Sequence, residues 1–162
     1  MVRLRRLGLL CALGSVLAAP VLHAEGAASR LEAKAATPAE MKWGSQGGLA
    51  LSGMEQATLV GNPAEPGPYT VRLKFPAGYK LAPHVHPDSR EVTILSGTWY
   101  TGYGEKFDAT ALKALPAGSF YTEPPNGNHF AMTKGDGVTL YITGTGPTGT
   151  AYVNPADDPT KK

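Results

Sequence analysis

GYKLAPHVHPDSREVTILSG, residues 78–97, decides the reading of this chain. His84 and His86 are two apart, which on a strand places both rings on one face. Pro83 and Pro87 bracket the pair, Gly78 precedes it by six positions, and Gly97 closes the next strand. Glu91 follows His86 at an offset of five. On an unbroken strand that odd offset points it away from the histidines. Pro87-Asp88-Ser89 supplies a turn or bulge that resets the alternation. On that phase Glu91 rejoins the histidines from the next strand, with Thr93 and Leu95 on its face.

A second patterned stretch runs from Pro116 through Gly118, Glu123, Pro124, Pro125 and Asn126 to His129. Pro124-Pro125-Asn126-Gly127 reads as a rigid loop able to deliver His129 to the same site. Three neutral imidazoles and one carboxylate would give a divalent cation nitrogen and oxygen donors and one negative charge. A bare His-x-His pair can equally be two polar residues beside a loop. The glycines and prolines around both stretches favour the site.

The rest of the chain reads as β-structure. Tyr69–Phe75 alternates, with Val71, Leu73 and Phe75 on one face and Arg72 and Lys74 on the other. Further strands are expected at 57–60, 80–85, 91–95, 98–103, 119–121, 129–133, 138–143 and 150–153. Residues 107–114 (FDATALKA) read as a helical turn or two with Asp108 as its cap. Glycine (20) and proline (14) punctuate the chain throughout, as short strands require. GTGPTG, residues 144–149, lies between late strands with no helix after it and reads as a turn rather than a phosphate loop. The pattern predicts a sandwich or barrel.

The amino terminus reads as an address. Arg3, Arg5 and Arg6 precede an apolar run over 7–19, a Pro20 break and a small residue at Ala24. That is the build of a signal peptide, too short to span a bilayer, cleaved after Ala24. The expected location is periplasmic or secreted, by the ordinary secretory route ahead of twin-arginine export, with no stable membrane anchor. Cys11 lies in this segment, so the mature chain has no cysteine. Removing the three arginines leaves 12 basic residues of 15 against 13 acidic ones, a net of −1. A nucleic-acid partner is not expected. The predicted organisation is signal peptide 1–24, leader 25–40, one domain 41–154 and a polar tail 155–162.

At this point the chain resembles the cupin superfamily, small antiparallel jelly-roll barrels known by two motifs. The first appears as Gly78, His84, His86, Glu91 and Gly97, with the histidine–histidine–glutamate spacing of the germin-like branch. The second appears as Gly118, Pro124 and His129. The interval from Glu91 to Gly97 is one residue shorter than the commonest pattern. Asn126 and Thr133 replace a glycine and an asparagine of the second motif. The resemblance spans Pro68 to Gly144 and is similar to small secreted single-domain bacterial cupins. It implies an all-β, double-stranded β-helix barrel with a short N-terminal arm. It also implies one divalent metal ion held by His84, His86, Glu91 and His129. Manganese or iron is expected first, with zinc, copper or nickel as further candidates.

Four protein ligands leave one or two octahedral positions for water, substrate or dioxygen. The resemblance therefore implies a metal-dependent enzyme of oxidoreductase or dioxygenase type acting on a small organic molecule. A non-catalytic cupin that binds a metal or small ligand is the alternative. The hydroxyls of Tyr103 and Tyr121 are candidate ligand contacts. Glu123 and Asp88 are candidate acids or bases, read more readily as exposed loop residues. A homodimer is expected, built on an outer face carrying Val92, Ile94, Phe130 and Met132, or else these residues pack under the N-terminal arm.

Overall fold

The computed structural model describes residues 33–44 and 53–161. The segment read as a signal peptide lies outside the described residues, as does the leader before residue 33. Ten strands follow a short 3-10 turn at Pro38–Glu40. They are β1 (Glu55–Val60), β2 (Gly67–Phe75), β3 (Lys80–Val85), β4 (Arg90–Ser96) and β5 (Thr98–Tyr103). Then come β6 (Lys113–Pro116), β7 (Phe120–Glu123), β8 (His129–Met132), β9 (Val138–Gly146) and β10 (Ala151–Tyr152). Two five-stranded antiparallel sheets result, β1-β2-β9-β4-β7 and β10-β3-β8-β5-β6. Strands consecutive in sequence mostly alternate between the sheets, as in a jelly roll.

Each strand buries its apolar period-2 face between the sheets. Tyr69, Val71, Leu73 and Phe75 of β2 are buried, as are Val92 and Ile94 of β4 and Leu140 and Ile142 of β9. Leu81, Trp99, Leu115 and Ala131 of the other sheet complete one core. On the outer face Arg72 stands 4.7 Å from the Tyr141 ring centroid. Lys74 lies 3.7 Å above the ring of Trp43, which ties the N-terminal arm to β2.

Three expectations are corrected. Residues 107–112 form turns, and Lys113–Pro116 is an edge strand paired with β5 from Thr98↔Pro116 to Thr101↔Lys113. The available ladder partner overrides a weak helical propensity, and Asp108 accepts from the N–H and the hydroxyl of nearby Thr110 at 2.8 and 2.6 Å. The phase of β4 is the reverse of the one expected. Arg90, Val92 and Ile94 face inward, while Glu91 and Thr93 are exposed. A one-residue shift of phase exchanges the two faces of a strand. The outer apolar surface expected for a dimer is therefore absent, because Val92 and Ile94 are core. Phe130 does point outward, and Phe107 covers it with ring centroids 5.1 Å apart.

Candidate metal centre

His84 reaches the interior through an irregularity in β3. Against β8, Leu81 pairs with Ala131 and His84 with His129, so β3 carries one extra residue at Ala82-Pro83. Pro83 has no N–H to give the ladder, which suits it to a bulge. The bulge turns both Leu81 and His84 inward despite their odd spacing, and His86 follows two residues later. β8 supplies His129 directly opposite His84. Gly127 and Asn126 precede it in a turn in which Asn126 has φ +56°.

The three rings converge, with centroids 4.2–5.1 Å apart and one donor nitrogen from each within 4.8 Å of the others. All three residues are at most 3% exposed. Each ring is fixed by the same device. The Nδ1 of His84 lies 2.7 Å from the carbonyl of Ala82. That of His86 lies 2.7 Å from the carbonyl of Gly149, and that of His129 lies 2.9 Å from the carbonyl of Gly127. A carbonyl can only accept, so each Nδ1 carries a proton and each ring turns its Nε2 to the shared centre. Burial lowers His84 to a pKa of about 4, with His129 adding to the shift. Burial lowers His86 to about 2, with the Arg90 charge as the next cause. Both rings are thus neutral at physiological pH.

The carboxylate beside the histidines is Glu123, the last residue of β7. Its Oε1 stands 3.4 Å from His129 Nε2 and its Oε2 stands 3.7 Å from His86 Nε2. Tyr121 donates to Oε1 at 2.8 Å, and Trp99 donates to the Tyr121 oxygen at 2.9 Å. Burial would raise the Glu123 carboxyl, but His129 and His86 when protonated, together with the Arg90 guanidinium, outweigh it and hold it well below the usual carboxylate range. Glu91 is exposed on the outer face of the sheet, where it pairs with Thr122 and Thr143. The structure therefore places Glu91 away from the histidines and Glu123 beside them.

The inward position on β4 belongs to Arg90, which pairs in register with Glu123. Arg90 is 1% exposed. Its Nε lies 3.4 Å from Asp88 Oδ1, its Nη2 donates to Thr148 Oγ1 at 2.6 Å, and its Nη1 stands 3.6 Å from Glu123 Oε2. Asp88 also accepts from the Tyr69 hydroxyl at 2.6 Å and from the Thr148 hydroxyl. Asp88 and Glu123 are thus buried and bonded, not exposed loop residues. The shortened interval from Glu91 to Gly97 was the available signal. Counting back from Gly97 at the commoner spacing lands on Arg90. The alternation of Phe120–Glu123, which turns Tyr121 and Glu123 to one face, was the other.

Two buried atoms here lack hydrogen-bond partners among the described residues, His129 Nε2 and Glu123 Oε2. A nitrogen lone pair and a carboxylate oxygen both lack a donor, and a cation between them supplies what each needs. The residues present therefore fit a divalent ion. The interior cavity beside them measures about 30 Å³, room for an ion with one or two water-sized molecules.

A small jelly-roll barrel with an inward histidine triad defines a cupin. The chain belongs to the ChrR cupin-like domain family, whose profile matches residues 32–149. A comparison with curated proteins finds no match. Among solved structures, the chain is similar to an RmlC-like cupin from Shewanella frigidimarina, with 21% identity over 68% of this chain and 87% of that one, at a TM-score of 0.52. It is similar to the polyketide cyclase RemF from Streptomyces resistomycificus, with 14% identity over 80% and 92% of the two chains, at 0.57. It is also similar to the DMSP lyase DddQ from Ruegeria pomeroyi, with 18% identity over 70% and 61%, at 0.54. At these identities the likeness is one of fold.

Proposed function

We propose that this chain is an exported divalent-metal cupin whose ion is held by His84, His86, His129 and Glu123, and that it acts on a small organic molecule as a metal-dependent oxidoreductase. The observation that carries the metal reading is the shared tautomer of the three rings. Three separate carbonyls commit Nδ1 as donor and leave three Nε2 atoms converging in a buried site. Such backbone partners are the usual outer support of metal-bound histidines. The donor set is nitrogen and oxygen without sulfur, which suits manganese or iron ahead of softer metals. The bound ion would supply Lewis acidity or redox capacity beside the cavity. Glu123 would balance its charge, with Arg90 in turn balanced by Asp88.

Enzymatic chemistry on small molecules is borne by the solved relatives that are a polyketide cyclase and a lyase. One observation favours the second reading, a binding cupin without turnover. The two carboxylates nearest the site each accept hydrogen bonds from neighbouring side chains. Glu123 faces the histidines and accepts from Tyr121, and Asp88 is bonded to Tyr69 and Thr148. No spare general base stands beside the cavity among the described residues.

The test is a thermal-shift series with manganese, iron, zinc and copper, followed by a substrate screen of the metal-loaded chain against His84→Ala. A metal-dependent rise with turnover that His84→Ala abolishes supports the enzyme. A rise without turnover supports the binder. No rise with any of the four ions refutes both. Export is tested by N-terminal sequencing of the extracytoplasmic protein, which should begin at Glu25.

A further inference from the structure

Apart from the interior cavity there is a cleft of about 250 Å³ between the edge strands β6 and β7 and their neighbour β5. Thr101, Tyr103, Lys113, Leu115, Phe120 and Tyr121 line it. Three large apolar side chains are exposed among the described residues, and two of them, Tyr103 and Phe120 (55% and 57%), stand here. Exposed rings gathered at one concavity mark an interaction site more than a chance scatter does. Two of the rings are held in place. Tyr103 donates to the Thr122 carbonyl at 2.6 Å and Tyr121 donates to Glu123 at 2.8 Å. A ligand meeting them has little ordering to impose.

Tyr121 lines both this cleft and the interior cavity that holds His84, His86 and Glu123. Its ring is therefore the partition between them. Among the described residues the one cation on the cleft wall is Lys113 of β6, opposite Thr101 and exposed. The carboxylate behind the partition, Glu123, is already engaged. A ring-shaped ligand meets aromatic faces here, and a negative group on it meets Lys113. The volume is below the range of about 300–1,000 Å³ usual for drug-sized ligands, so a single ring is the fitting size.

We propose that this cleft is a recognition site for a small, single-ring aromatic carboxylate, held by Tyr103, Phe120 and Lys113 on the far side of Tyr121 from the metal centre. The nearness to a metal ion rests on the metal-site reading above; the binding itself does not.

Benzoate is the probe, titrated against the full mature chain by ligand-observed NMR. Benzyl alcohol keeps the ring without the charge, and acetate keeps the charge without the ring. Benzoate is expected to bind about tenfold more tightly than either. Phe120→Ala should weaken benzoate and benzyl alcohol alike, and Lys113→Gln should bring benzoate down to the level of benzyl alcohol. Both positions are exposed, so both variants should keep the wild-type melting temperature and any metal-dependent rise. In manganese-loaded protein the benzoate ring protons should broaden, and His129→Ala should remove the broadening. Equal binding of acetate and benzoate overturns the proposal, as does indifference to Phe120→Ala. So does a chain that binds no benzoate and whose dimer mass in light scattering falls to that of a monomer with Phe120→Ala, since a second copy then covers the cleft. Binding without broadening in protein shown to hold manganese overturns the placement of the ligand beside Tyr121. If wild type shows no metal-dependent rise, the metal reading alone has failed, and the metal-free titration still decides the cleft.

Discussion

Arg90 and Glu123 are paired in register across β4 and β7, and both point into the barrel, with Nη1 and Oε2 3.6 Å apart. The inward position on β4 holds a cation, and the carboxylate comes from the neighbouring strand. Glu123→Ala should therefore lose the metal-dependent rise in melting temperature, wholly or in large part. Glu91→Ala, on the outer face, should keep it. Wild type gains about 2.7 kcal/mol when metal stands at a hundredfold excess over its dissociation constant. Thermal shifts of the two variants side by side decide the matter, and a loss confined to Glu91→Ala would return the ligand role to that residue.

The buried charges on β4 depend on one another. Arg90→Met leaves Asp88 and Glu123 buried with no cation beside them. Removing one partner of a buried pair costs about 3–5 kcal/mol. Adding Asp88→Asn removes one stranded charge while keeping an acceptor for Tyr69. The double variant should thus be more stable than Arg90→Met alone. Urea unfolding measures both, and simple additivity of the two losses would show that Arg90 and Asp88 do not act as a pair.

The strands and the histidines were legible from the sequence because period-2 alternation and the Gly/Pro brackets are local signals. Val71, Leu73 and Phe75 read correctly for that reason, and His84, His86 and His129 stand out by the same brackets. The carboxylate was legible only through the shortened Glu91–Gly97 interval and the Phe120–Glu123 alternation, because its identity turns on the phase of β4. Nothing local to Pro87-Asp88-Ser89 states whether the strand resumes with Arg90 or Glu91 inward. A buried arginine is also the less expected choice, since it is acceptable only through Asp88, Thr148 and Glu123, and those partners meet it only in the fold. The edge strand β6 was hidden for a related reason, since its four residues acquire their ladder from β5.

Acid should destabilise the metal-free protein, and the sign follows from the shifts. His84 and His86 have folded pKa values of about 4 and about 2, below the ordinary value of 6.5. The unfolded chain therefore binds more protons below pH 6.5. Stability is full above that pH and falls as pH drops toward 4, at up to about 1.4 kcal/mol per pH unit for each ring. Glu123, held below the usual carboxylate range, adds a loss in the same direction once pH falls below its ordinary 4.5. Melting temperatures from pH 7.5 to 4.5 should decline, with the onset near 6.5. His84→Phe should reduce the slope. A flat profile over that window would mean that the imidazoles are not held neutral by burial.

Thr148 ties the loop after β9 to the site. Its hydroxyl donates to Asp88 and accepts from Arg90 at 2.6 Å. The next residue, Gly149, presents the carbonyl that fixes the His86 ring. Thr148→Val keeps the shape of the side chain and removes both hydrogen bonds, leaving Asp88 and Arg90 short of a partner. An unmet buried polar group costs about 1–3 kcal/mol, so a measurable loss of stability is expected. The larger consequence is for His86. Once the loop is free to shift, the Gly149 carbonyl no longer commits Nδ1 as the donor, and Nε2 can take the proton instead. Loss of such an outer partner typically lowers metal affinity by about 10–100-fold. Thr148→Ser, which restores the hydroxyl, should recover most of that affinity. Thr150→Val should change it little, because the Thr150 hydroxyl stands 3.4 Å from His86 Nδ1 and the Gly149 carbonyl already holds that atom. Competition titrations with a chelator measure all three variants. If Thr148→Val loses stability but keeps wild-type affinity, the latch is structural only, and the orientation of His86 must be set by the Pro87 turn.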